Sequence, residues 1–180
     1  MQALANLIER TLDLTDSRLL SSPFDPEWRS ECEVYQSSDK TFWRPIVQSP
    51  RVDFSGLANA IEAPIHPDIV SYYGSYWSGT LEADSREGRV SLIQLWNPDD
   101  FERLITNLVG HALNKIRAKH PYTVFFATTE PDSELFLSID NTSGVVMLEE
   151  PGKSPIREVE SDIGTFLTRM EPKKRQPDIY

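Results

Sequence analysis

Leu4, Leu7, Ile8, Thr11 and Leu12 recur at three- and four-residue steps and predict a short helix over residues 4–12. From Asp13 to Pro26 the text turns polar and proline-bearing, as a loop does. Residues 28–52 mix Trp28, Tyr35, Phe42 and Trp43 with Pro45 and Pro50, and read as irregular or short-stranded. Leu57, Ala60 and Ile61 suggest one or two helical turns. His66-Pro67-Asp68 looks like a helix start, with Ile69, Tyr72 and Tyr73 on one face and Gly74 as the stop. Trp77–Ala83 and Val90–Trp96 predict a β-hairpin joined by the polar segment Asp84–Gly88.

The strongest helical signal follows. Asn97 can cap, Pro98 fits the first turn, and Asp99 and Asp100 suit the positive end of the helix dipole. Phe101, Leu104, Ile105, Leu108, Ala112, Leu113 and Ile116 then repeat at helical spacing until His120-Pro121. Tyr122–Thr128 predicts a strand buried on both faces. Leu135–Asp140 and Val145–Glu149 predict a hairpin across Asn141–Gly144. Ile163, Phe166, Leu167 and Met170 predict a last helix. Without a regular βαβ alternation, the order points to an α+β fold on a mostly antiparallel sheet with helices packed on it. Residues 1–171 read as one domain and residues 172–180 as a basic tail carrying Lys173, Lys174 and Arg175.

Charge changes the picture more than size does. The net charge is −10, from 28 acids against 18 bases. Such a surface disfavours nucleic acid and anionic lipid and favours a basic protein partner. No apolar run reaches the length of about 18 residues that a membrane span needs. Residues 1–20 carry Glu9, Asp13 and Asp16 and no apolar signal region. The single cysteine, Cys32, allows no disulfide within the chain, which fits a reducing, cytoplasmic location. Glycine-rich phosphate loops, C-x-x-C pairs and G-x-S-x-G are absent, so no cofactor, metal or common hydrolase site is expected. His111 is the best acid–base candidate, and its competing reading is a half-buried histidine that hydrogen-bonds to backbone or a carboxylate. Cys32 lies between Glu31 and Glu33, anions that raise a thiol pKa and argue against a reactive thiolate.

Particular residues carry a resemblance. Leu95-Trp96-Asn97-Pro98-Asp99-Asp100-Phe101-Glu102-Arg103-Leu104 and Asn107-Leu108-Val109-Gly110-His111 resemble the signature of the Syd family, the SecY-interacting proteins of bacteria. His66-Pro67 with Tyr73, Thr123–Ala127, Asp140–Val145 with Glu149 and Gly152, and Phe166-Leu167 to Pro172 continue the match. It covers about residues 40–172, and the Ser-Gly-Val strand and final helix also resemble the wider SUKH superfamily. The resemblance implies a monomeric, non-enzymatic α+β protein, cytoplasmic and peripherally associated with the bacterial inner membrane. It further implies a concave acidic face that binds basic cytosolic loops of SecY in the SecYEG translocon, monitoring its assembly. It carries over no catalytic residues.

The positive-inside rule supplies a matching partner, since cytoplasmic loops of membrane proteins are rich in Lys and Arg. On the predicted strand ends and loops, the expected contact acids are Glu82, Asp84, Glu130, Asp132, Glu134 and Glu149, with Asp99 and Asp100 at the helix start. An immunity protein that neutralises a basic toxin such as a nuclease would show the same acidic surplus. An acid–base enzyme using His111 is the third reading.

Overall fold

The computed structural model describes residues 1–130 and 133–173. The chain opens with α1 (Gln2–Leu12), whose Leu4, Leu7, Ile8, Thr11 and Leu12 are all buried, as their spacing predicts. Three short strands then form a small antiparallel sheet: β1 (Leu20–Pro23), β2 (Glu33–Ser37) and β3 (Lys40–Trp43), with β3 in the middle. β1 lies inside the segment expected to be loop. Its Ser21-Ser22-Pro23 text has no apolar alternation, and a proline is tolerated there because β1 is an edge strand. β4 (Ile46–Val47), α2 (Ser55–Ile61), α3 (Pro67–Tyr73) and β5 (Tyr76–Trp77) follow. The His66 ring caps α3 by accepting from the Asp68 amide at 3.2 Å.

The main sheet is formed by β6 (Leu81–Ser85), β7 (Gly88–Leu92), β8 (Thr123–Thr128), β9 (Phe136–Asp140), β10 (Val146–Glu149), β11 (Arg157–Glu160) and β12 (Glu171–Pro172). Its order is β11-β10-β9-β8-β7-β6-β12, and every ladder in it is antiparallel. With α4 (Pro98–Ala118) and α5 (Ile163–Thr168), this gives the α+β class that the element order predicts. The expected first hairpin is shorter than its text. Its reversal lies at Arg86-Glu87, and Trp77 leaves it to pair with Ile46. Gly79 allows that departure, because a Cβ there would stand 2.6 Å from the Trp43 indole. β11 and β12 have no counterpart among the predicted elements, because Arg-Glu-Val-Glu and Glu-Pro carry almost no apolar pattern. β12 pairs Pro172 with Ala83, and the Lys173 amide donates to the Glu82 carbonyl at 2.9 Å. A boundary drawn after Glu171 therefore falls within β12, and residues 174–180 of the expected tail lie outside the described residues.

Helices cover the main sheet on both faces. On one, Phe126 of β8 meets Tyr72 of α3 and Phe166 of α5 edge-on at 5.6 and 5.7 Å, and α1 packs along α5. On the other lies α4, capped by the Asn97 side chain at the Asp100 amide, 2.9 Å away. At about 100° per residue, Leu104, Leu108, Ala112 and Lys115 fall within an arc of about 80°, and all four are buried. Leu113 and Ile116 lie outside that arc and are 50% and 62% exposed, although the apolar text placed them with the core. The helix stops at Ala118 because Lys119 turns left-handed, with φ of 58°.

Candidate partner-binding face

The face of the sheet that carries α4 is only half covered. Cross-strand partners in an antiparallel ladder point to the same side. The register Glu82–Ser91–Thr128–Phe136–Glu149 therefore runs as one row across β6 to β10 on this face. α4 lies over the β8–β10 end of the row, where Phe136 meets the His111 ring at 6.1 Å and Glu149 meets Lys115. At the other end Glu82 and Thr128 remain open to solvent in part or fully.

Three of the expected acids gather at the open end. Glu82 accepts from the Ser91 hydroxyl at 2.7 Å. Asp84 lies 3.8 Å from the Arg89 guanidinium and 2.8 Å from the Lys173 ammonium. Glu130 accepts from the Arg89 amide at 3.0 Å. β6, β7 and the end of β8 thus hold these three carboxylates around Arg89. The two cations offset part of that charge, and exposed pairs of this kind contribute roughly 0–1 kcal/mol each. Glu134 is exposed in the β8–β9 loop, and Asp132 lies outside the described residues.

Asp99 and Asp100 stand apart from this group. β7 runs away from its hairpin turn toward Leu95, which bridges to Trp77, and α4 begins beyond that point. Asp99 is exposed, while Asp100 accepts from the Trp96 amide at 3.0 Å and closes the helix start.

Glu149 departs from expectation altogether. It is 0% exposed, ion-paired to the buried Lys115, and accepts a hydrogen bond from Ser138. A carboxylate at a strand end reads as a surface group, but α4 passes over this strand end. The missed signal was Lys115, which sits eleven residues after Leu104 on the apolar stripe of α4. A lysine in a buried arc requires a buried partner.

Glu87 and Glu160, two more of the acids, are held by Arg169. Its guanidinium bonds Glu87 at 2.9 and 3.0 Å and Glu160 at 3.0 Å, tying the β6–β7 turn to β11 and α5. Partial burial opposes ionisation of Glu87, yet hydrogen bonds from Arg169 and Ser85 bring its pKa below the usual carboxylate value.

His111 is half-buried. Its Nε2 lies 3.2 Å from the Thr123 hydroxyl, and Phe125, Phe136 and Tyr122 surround the ring. Burial lowers its pKa and the nearby Lys115 charge lowers it further, against the opposing influence of Glu149 and Thr123. Its partner is a hydroxyl rather than the carboxylate an acid–base pair needs. Cys32 is buried, and burial pushes its thiol up to about 12 despite a hydrogen bond with Ser30.

The described residues thus define an α+β domain with one long helix over half a sheet face and carboxylates on the uncovered half. No described helix is long and apolar enough to cross a membrane. The family model described as Syd protein (SUKH-2) matches residues 1–172. Among curated relatives, Protein Syd of Pseudoalteromonas atlantica is 38% identical over 153 residues, covering 83% of this chain and 82% of that protein. Protein Syd of Hahella chejuensis is 42% identical over 131 residues, covering 73% and 67%. Protein Syd of Yersinia pestis is 33% identical over 173 residues, covering 94% of both. The chain belongs to the Syd family.

Proposed function

We propose that this chain is a non-enzymatic regulator that binds the cytoplasmic side of the SecYEG translocon. Glu82, Asp84 and Glu130 are its central contacts, and basic cytosolic loops of SecY are the partner. Exposed Glu134 flanks them, and Asp132, outside the described residues, completes the proposed contact set. Asp99, exposed at the start of α4, is a separate contact point away from this group, with Asp100 behind it. Glu149 is excluded from the contact set by its burial. The observation that carries this reading is the meeting of three carboxylates on the part of the sheet face that α4 leaves uncovered.

Carboxylates of this kind complement Lys- and Arg-rich loops, speed the encounter, and set its orientation. An acidic surface is repelled by the anionic inner leaflet, so recruitment to the membrane comes from the protein partner. The chain would then be cytoplasmic and peripherally bound at the inner membrane, and monitoring of SecY assembly is the role proposed for that contact. Membership of the Syd family and the net charge of −10 support the reading.

Affinity purification of the tagged chain from its host tests it. SecY subunits should co-purify, and recovery should fall as salt rises, since screening acts over about 8 Å at physiological ionic strength. Recovery of a small basic toxin without SecY would instead establish the immunity-protein reading.

A further inference from the structure

A cavity of about 380 Å³ opens beneath the C-terminal half of α4. This lies within the range of roughly 300–1,000 Å³ typical of small-molecule sites. Ile93, Ala118, Phe125, Phe136 and Pro151 form its apolar wall. The His111 ring joins that wall, edge-on to Phe125 and Phe136 at 5.9 and 6.1 Å. The polar lining consists of Asn114, Lys115, His120, Thr128 and Lys153. Among the described residues no carboxylate lines it, in a chain with 28 acids.

We infer that this cavity is a binding site for a small amphipathic anion: an aryl or branched-alkyl carboxylate whose apolar body lies against Phe125 and Phe136 and whose charge meets Lys153. The shape and the chemistry agree. An aromatic wall of this kind accepts a ring in edge or stacked geometry. Lys115 lines the cavity but stays committed to Glu149, so the pair brings no net charge to it and no free ammonium. Lys153 is available. Its pair with Glu150 has 65% and 28% of the two side chains exposed, and such a pair holds its lysine weakly. His120 is held at 2.9 Å by Ser154, which fixes the mouth of the cavity between the end of α4 and the 151–154 loop. A cationic ligand would find no counter-charge in the described lining, and a neutral one would leave Lys153 unused.

The inference does not depend on the translocon reading, because no proposed SecY contact lines the cavity. Its test is a titration of the isotope-labelled chain with 4-phenylbutyrate, 4-phenylbutanamide and 4-phenylbutylamine, read by two-dimensional NMR. The carboxylate should shift Asn114, Ala118, Phe136 and Gly152 saturably. It should bind at least about ten-fold more tightly than the amide, the worth of one charge-assisted hydrogen bond. Lys153→Glu should remove that preference, and Ala118→Phe, at an exposed position on the rim, should block all binding while leaving the remaining spectrum unchanged. Equal binding of acid and amide would make the cavity a simple apolar socket and overturn the inference. So would stronger binding of the amine, shifts elsewhere in the molecule, or no saturable binding of any of the three.

Discussion

One row of the sheet carries a glutamate at each end, and the two do opposite things. Glu149, under α4, is fully buried, paired to Lys115 and bonded by Ser138. Glu82, on the uncovered strands, has its carboxylate bonded by Ser91 alone among the described residues and neighbours Asp84 and Arg89 in the ladder. Both have a serine donor, and both lie on the same face. The difference is the helix above one of them. Burial turns a carboxylate into part of the fold, because an unpaired charge there has no solvent to stabilise it. Exposure leaves a carboxylate free for a partner and of little consequence for stability.

Substitution at the two ends should break this comparison or sharpen it. The largest effect belongs to Glu149→Ala, which strands Lys115 in the interior and should cost about 3–5 kcal/mol in urea unfolding. Lys115→Met with Glu149→Leu should recover most of that loss, since neither charge then remains buried. Glu82→Ala should change stability by no more than about 1 kcal/mol. If the two single substitutions cost the same, the division of the face into a structural half and a free half is wrong.

The helix that makes the difference can be weakened at its start. Asn97 caps α4 and also donates to the Arg29 carbonyl at 2.8 Å. Asn97→Ala should cost about 1–2 kcal/mol by thermal or urea unfolding, an intermediate effect.

A smaller effect concerns pH on the covered half. His111 has its pKa lowered in the fold, chiefly by burial and then by Lys115. Its unfolded value is about 6.5, so as pH falls through that value toward the folded pKa the unfolded chain binds the extra proton. Stability from this group is therefore complete at neutral pH and declines on acidification. Unfolding midpoints compared at about pH 7.5 and 5.5 should fall more for the native chain than for His111→Gln. An equal fall would place the acid sensitivity elsewhere. Smallest of all is Cys32: with its thiol at about 12 and 1% exposure, the folded chain should resist iodoacetamide and react only when unfolded.

The same contrast explains what could be read from the sequence. Elements with strong periodicity were legible. The buried stripe of α1, the cap and first turn of α4, the 136–149 hairpin and the apolar face of α5 all follow from residue spacing. β1, β11 and β12 were not, because edge strands of two to four residues bury too little to impose a pattern. Among the acids, Glu82, Asp84 and Glu130 were legible as residues at strand ends, and their meeting around Arg89 needed the register. Glu149 misled because a strand end has no mark for what lies above it. Lys115 was the one clue to the buried pair, a charged residue on an apolar arc.

The central claim is that the uncovered carboxylates, rather than the buried one, recruit the partner. It is tested most directly by the affinity of the chain for SecYEG in nanodiscs, measured at low and high salt for the native chain and for a Glu82→Lys, Asp84→Lys, Glu130→Lys variant. The reversed variant should fold normally, bind at least about ten-fold more weakly at low salt, and lose most of the salt dependence. Unchanged affinity and an unchanged salt response in a folded variant would contradict the account.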